Sequence, residues 1–164
     1  MKNDILEQAL QLSEEILSNI ELNQISLSNI VLKTSRLARL LDDFENQKIF
    51  QYEASGYPTT PNGINPEIFS LLQKAKRTYL KKDKKDKVEE YAHWKSIEQY
   101  ENELLSAKES IAVSKDADVS ISSSNPYQNV YAPMGNTLER KSLRDLISDN
   151  SELIASRKSY IYDY

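Results

Sequence analysis

The chain has 164 residues, 39% of them hydrophobic and 28% charged, a balance typical of a folded domain with its own core. Its net charge of −4 argues against nucleic-acid binding through an overall positive charge. The absence of cysteine excludes disulfides and cysteine-ligated metals. The first residues do not resemble a signal peptide, and no stretch approaches the roughly 20 apolar residues of a membrane span. We therefore expect a cytoplasmic protein without membrane association.

Two amphipathic helices are predicted at the start of the chain. The first covers residues 3–20, and its apolar stripe recurs at helical spacing. Its members are Ile5, Leu6, Ala9, Leu10, Ile16, Leu17 and Ile20. The second covers residues 27–41, and Ser26 or Ser28 is available as its amino-terminal cap. Its apolar face comprises Leu27, Ile30, Val31, Thr34, Leu37, Ala38 and Leu41.

A third helix is predicted to begin at Asp42 and Asp43 and to run into Gly56. Carboxylates favour the positive end of a helix, and glycine suits the left-handed conformation that closes one. With short links, the three helices predict a compact unit over residues 1–58.

Five residues around this unit are candidate anchors of the fold. They are Leu37, Glu53, Gly56, Tyr57 and Pro58. We expect Tyr57 to bury its ring with the hydroxyl hydrogen bonded, and Pro58 to prevent the helix from continuing. Glu53 is expected to pair with an arginine of the second helix, either Arg36 or Arg39.

The middle of the chain, residues 59–118, is predicted to form a helical hairpin or one long helix. A turn-rich connector ends at Asn65 and Pro66, a cap and first-turn signal for a fourth helix. Apolar residues then follow a near-heptad rhythm over residues 88–113. Either arrangement would offer a surface for self-association.

A lysine-rich run separates these two helical patterns. Its basic members are Lys81, Lys82, Lys84, Lys85 and Lys87. Such runs usually remain in water, so a solvated helix surface or an exposed turn is expected. The alternative is a local binding site for phosphate or an acidic partner.

The last third, residues 119–164, is predicted to contain an extended segment followed by helices. Alternation and turn residues favour a short strand or extended segment near 119–132. A helix follows from about residue 136, with a break at 149–151. The three segments are expected to form one mainly α globular domain, a helical bundle, and a fragment of a longer protein is the alternative.

No catalytic or metal-binding constellation is predicted. His93 is the only histidine, and it has no nearby set of ligands in the sequence. The carboxylate pairs 14–15, 42–43 and 89–90 are adjacent, so they diverge on a helix. We therefore expect no catalytic residue, metal site or cofactor, and we favour a non-enzymatic protein.

Three segments in order resemble the AbiTii family of bacterial abortive-infection proteins. They are ILEQALQL at 5–12, SLSNIVLKTSRLARLL at 26–41 and EASGYP at 53–58. A weaker match is ELIASRKSYIYDY at 152–164. Ala54 stands where leucine is usual and Ile49 where tryptophan is common, and the proline–x–tyrosine–arginine element expected after GYP is absent.

The resemblance implies a helical module in defence against bacteriophage, with no catalytic mechanism to transfer. From it and the long amphipathic helices we predict a module that binds another protein or forms a homo-oligomer. One alternative is a toxin-like effector that contacts nucleic acid or a nucleotide through the lysine-rich run. Another is an antitoxin that covers a separate toxin.

Overall fold

A computed structural model gives the fold and describes residues 2–82, 86–113 and 135–164. Within these ranges the chain is mainly α, as predicted, with six helices and one two-stranded antiparallel sheet. The elements are α1 (Lys2–Leu22), α2 (Leu27–Leu40), α3 (Phe44–Ser55), α4 (Pro66–Lys74), β1 (Thr78–Lys82), β2 (Val88–Ala92), α5 (Ile97–Val113) and α6 (Gly135–Tyr162). No helix in the described ranges is long and apolar enough to cross a membrane.

Helix α2 is the centre of the core, because it contacts α1, α3, α5 and α6. Its predicted apolar face is buried except for Leu41, which lies just beyond the helix and is exposed. The buried cluster comprises Ala9, Leu12, Ile16, Ile20, Leu27, Ile30, Val31, Leu37, Ala38, Phe50, Ile97 and Ile161. Residues from both ends of the chain therefore meet in one core.

The ends of α2 and α3 follow from local chemistry. The Ser26 hydroxyl accepts a hydrogen bond from the Asn29 amide, and the Asp43 carboxylate accepts one from the Asn46 amide. Helix α3 stops at Gly56, whose φ is 90° and ψ is 151°. This conformation lies outside the predicted left-handed helical region, in a part of backbone space that essentially only glycine reaches.

The predicted helix over residues 88–113 is wrong in its first third. Residues 78–92 form a β-hairpin in which Tyr79 faces Tyr91 and Lys81 faces Glu89. Helix α5 begins only at Ile97, after a capping box formed by Ser96 and Gln99. Aromatic and β-branched residues in both arms favour strands, and this preference overrides the heptad-like spacing.

The predicted break at residues 149–151 is also wrong, since α6 runs through it without interruption. Asn150 is buried, and its side-chain nitrogen Nδ2 lies 3.4 Å from a carboxylate oxygen of Glu103 in α5. Packing of α6 on α5 thus compensates for poor helix formers. The extended segment predicted near 119–132 lies outside the described residues, in the stretch 114–134.

Candidate functional site

A buried ion cluster joins α3, the start of the hairpin and α6. The Glu53 carboxylate accepts hydrogen bonds from two nitrogens of Arg77: Nε donates to Oε1 at 2.7 Å, and Nη2 donates to Oε2. The Tyr57 hydroxyl donates to Oε1 of the same carboxylate at 2.9 Å. Both charged side chains are only 1% exposed. Such a bidentate fork fixes the relative position of two elements as well as neutralising charge.

Arg157 brings a second cation to this carboxylate from the last helix. Its Nη1 lies 3.6 Å from Oε1 of Glu53, and the side chain is 3% exposed. The guanidinium also donates to the backbone carbonyls of Ala75 and Lys76. Its Nε has no hydrogen-bond partner within the described residues. Two guanidinium groups and one carboxylate therefore leave one excess positive charge in the interior.

The two arginines respond differently to the same surroundings. Burial lowers the pKa of Arg77, but the charge and hydrogen bonds of Glu53 raise it by more, so the net direction is upward. Burial also lowers the pKa of Arg157. Here the attraction of Glu53 does not outweigh burial together with the repulsion of Arg77, so the net direction is downward. Burial and the Glu53 charge raise the pKa of Tyr57. Arg77 is thus the principal partner of Glu53.

The predicted pairing of Glu53 with Arg36 or Arg39 is wrong, because Arg77 forms the fork instead. The Tyr57 ring is buried and its hydroxyl is hydrogen bonded. Leu37 is also buried, whereas Pro58 is exposed. Sequence reasoning did not predict either arginine as a partner of Glu53. Arg157 lies in the late segment, residues 152–164, that resembles the family. This resemblance is the only feature of the sequence that draws attention to it.

The described lysines of this run lie at the end of β1 and just before β2, not on a helix. Lys81, Lys82 and Lys87 are exposed, and Lys84 and Lys85 lie outside the described residues. Over residues 78–92 the sequence has five lysines and four acidic residues, so the hairpin is nearly neutral. The positive charge that a phosphate-binding surface needs is therefore weak.

An open groove lies between the hairpin, α4 and the connector that precedes α4. We call it the aromatic groove; its volume is about 630 Å³. It is lined by Thr59, Thr60, Pro61, Gly63, Ile64, Phe69, Tyr79, Glu90, Tyr91, Ala92 and Trp94. Large aromatic side chains in an open groove are typical of a binding surface rather than of a core.

His93 does not form a catalytic constellation with these groups. Its ring stacks on Tyr79 with centroids 4.4 Å apart. Burial, and then the charges of Arg77 and Arg157, lower its pKa. The described residues contain no group of histidine and carboxylate side chains that could hold a metal ion.

A second groove lies between the first turns of α1 and the end of α2. We call it the leucine groove; it is lined by Ile5, Leu6, Arg39, Leu40, Leu41 and Asp42. The predicted α1 stripe divides into two faces. Ala9, Ile16 and Ile20 are buried, whereas Leu6, Leu10 and Leu17 are exposed by 61%, 61% and 39%. Helix α1 therefore presents a second apolar face to solvent, continuous with this groove at Leu6.

The fold and its sites define a mainly helical module held by a sealed ion cluster, with open grooves on its surface. Comparison with protein-family models matches residues 11–164 to the AbiTii family, so the match extends through the divergent middle as well as the resembling segments at 26–41, 53–58 and 152–164. The chain belongs to the AbiTii family. Membership implies a role in abortive infection, the defence of bacteria against phage. Comparisons with curated proteins and with solved structures find no match.

Proposed function

We propose that this AbiTii protein acts in phage defence as a protein-binding module that assembles with a second copy of itself. The observation that carries the proposal is the exposed face of α1, which adjoins the leucine groove. Leu6, Leu10 and Leu17 lie within 40° of one another around the helix, given 100° per residue. Contiguous exposed apolar surface of this kind marks interaction sites in folded proteins.

The charges beside the leucine groove favour a second copy as the occupant. Arg39 and Asp42 both line the groove and both are exposed. In a two-fold interface the same patch of both subunits meets, so a contact between two different residues occurs twice, once in each direction. Arg39 would then approach the partner's Asp42, and Asp42 the partner's Arg39, around an apolar centre. This surface differs from the long middle helix that the sequence suggested for self-association.

The first test is the mass of the full chain in solution, measured by sedimentation equilibrium over a range of concentrations. We expect a dimer, and we expect the double variant Leu6→Ser with Leu41→Ser to weaken it by about a hundredfold or more, since each buried leucine contributes about 1.5–3 kcal/mol. The control is Leu105→Ser on α5, a leucine of comparable exposure at 57%.

The second test uses the paired charges. Arg39→Asp should weaken the dimer, because it places like charges opposite each other, and adding Asp42→Lys should restore it. Circular dichroism would show that each variant keeps its helical content. A chain that stays monomeric at all concentrations would contradict self-assembly. If such a monomer instead co-purifies with one bacterial protein, a heteromeric role such as that of an antitoxin would replace it.

The effector alternative receives less support from the geometry. It depends on phosphate contacts of Lys81, Lys82 and Lys87, but acidic residues of the same hairpin offset these charges. Phosphate binding would appear as affinity that falls steeply with salt. A filter-binding titration with an oligonucleotide at two salt concentrations would detect it.

A further inference from the structure

We propose that the aromatic groove is a binding site for a basic peptide, with a lysine or arginine side chain that pairs with Glu90 beside the aromatic lining of the groove. The site lies on the hairpin, α4 and the connector, away from α1 and the end of α2. It therefore does not depend on the proposed self-assembly.

The lining of the groove has the chemistry that attracts a cation. Four aromatic residues line it, together with one carboxylate and no lysine or arginine. Tyr79, Tyr91 and Trp94 are each exposed by 41–42%, so parts of these side chains are open to a ligand. The negative face of an aromatic ring attracts an ammonium or guanidinium group, and the attraction increases when water is displaced.

The walls of the groove are held in place before any ligand binds. Tyr79 stacks on Tyr91 across the hairpin, with centroids 5.9 Å apart and an interplanar angle of 25°. At Trp94, which also lines the groove, the backbone is fixed because the Tyr57 amide donates to the Trp94 carbonyl at 2.8 Å. Preorganised walls reduce the entropy lost on binding.

The carboxylate of Glu90 is oriented by α4. Gln73 Nε2 donates to its Oε2 at 3.0 Å. The other oxygen, Oε1, has no hydrogen bond within the described residues and can accept one from a cationic ligand. An anionic ligand would meet repulsion at this point, so the groove disfavours phosphate.

The backbone of β2 favours an extended peptide as the source of the cation. The His93 amide bonds to the Arg77 carbonyl across the hairpin, so the backbone groups of Ala92 and Glu90 face the outer edge. Both residues line the groove, and β2 pairs only with β1 within the described residues. A free strand edge can bind an extended peptide through main-chain hydrogen bonds while a neighbouring pocket selects its side chain.

The test follows Trp94, which is the only tryptophan and gives a single indole N–H signal in a two-dimensional NMR spectrum. The probe is a blocked glycine–lysine–glycine peptide, and its matched control has norleucine, an uncharged chain of similar shape, in place of lysine. We expect a saturable shift of the indole signal with the lysine peptide, and binding of the norleucine peptide weaker by about tenfold.

Variants locate the binding. Glu90→Gln should weaken the lysine peptide by about tenfold, because it removes the charge that faces the cation. The matched control is Glu109→Gln, which removes an exposed carboxylate of α5 that does not line the groove. Its affinity should stay unchanged. The rest of the same spectrum reports that each variant is folded.

Three results would overturn the proposal. The first is no shift of the Trp94 signal with the lysine peptide. The second is equal binding of the lysine and norleucine peptides, which would make the groove an apolar site. The third is a salt-sensitive shift of the Trp94 signal with an oligothymidine strand and no preference for the lysine peptide. This result would make the groove a nucleic-acid site.

Discussion

Arg77 and Glu53 form a bidentate pair in which both side chains are almost completely excluded from water. The pair joins α3 to the residue that precedes β1, and Arg77 also donates to the carbonyls of His93 and Lys95 beyond β2. One guanidinium thereby fixes both ends of the hairpin to the helical core. The position of the aromatic groove, which the hairpin helps to form, depends on this pair.

The first prediction concerns removal of the shared carboxylate. Glu53→Gln keeps the shape of the side chain but leaves Arg77 and Arg157 buried without a countercharge. We expect the free energy of unfolding to fall by about 3–5 kcal/mol, measured by urea denaturation. The control is Glu45→Gln, which removes an exposed pair with Lys74 and should change stability by about 1 kcal/mol or less. Equal losses in the two variants would contradict a central role for Glu53.

The second prediction separates the two arginines. Arg77→Met leaves Glu53 without its fork and deprives two carbonyls of their donor, so about 3–5 kcal/mol should be lost. Arg157→Met leaves the neutral pair of Glu53 and Arg77 in place. Its loss should be smaller, about 1–3 kcal/mol, from the unpaired carbonyls of Ala75 and Lys76.

Hydrogen exchange gives this comparison a local readout. Arg157→Met should increase amide exchange mainly near the end of α6, where the aromatic rings of Tyr160 and Tyr164 contact Phe50. Arg77→Met should instead increase exchange in the hairpin. The opposite distribution, or the larger loss of stability from Arg157→Met, would show that we have misassigned the principal partner of Glu53.

The third prediction concerns the turn after α3. Gly56→Ala should lower the free energy of unfolding by about 1–3 kcal/mol, because its φ of 90° strains any residue that has a Cβ. Steric overlap does not contribute, since the nearest atom to an added Cβ, the Ser96 amide nitrogen, is 3.5 Å away. Thermal unfolding would measure the effect. Ser55→Ala, at the exposed preceding position, is the control, and a loss equal to that of Gly56→Ala would argue against backbone strain.

Local signals in the sequence were enough to predict the helices at the start of the chain. Helix α2 has a complete 3.6-residue period and a serine cap, and α3 ends at a glycine, so both could be placed without tertiary information. The hairpin was not predicted because Val88 and Tyr91 fit a heptad rhythm, although both residue types also favour strands. The Ser96–Gln99 capping box would have marked the true start of α5.

The candidate sites were less predictable, because each depends on contacts between distant parts of the chain. Glu53 was expected to pair with an arginine on the adjacent helix, but its actual partners are Arg77, just before β1, and Arg157 in α6. The apolar stripe of α1 divides into a buried face and an exposed face. Only packing against α2 decides which leucines are buried and which line a groove. Sequence periodicity gives the orientation of a helix face but not which of two apolar faces meets the core.

The last prediction is a pH dependence of stability that comes from His93. Its pKa is lowered in the folded protein, first by burial and then by the charges of Arg77 and Arg157, although Asp149 acts in the opposite direction. In the unfolded chain His93 therefore takes up a proton near pH 6.5, whereas in the folded chain it does so only at lower pH. Stability should fall as the pH decreases below about 6.5. Urea denaturation at about pH 7.5 and about pH 5.5 would measure the change, before most carboxylates titrate.

The matched variant for this measurement is His93→Gln, which cannot take up the proton. Its stability should decrease less over the same interval than that of the unmodified chain. Glu89→Gln, which retains the histidine, serves as the control and should keep the full pH dependence. A decrease in His93→Gln equal to that of the unmodified chain would show that protonation of His93 does not oppose folding.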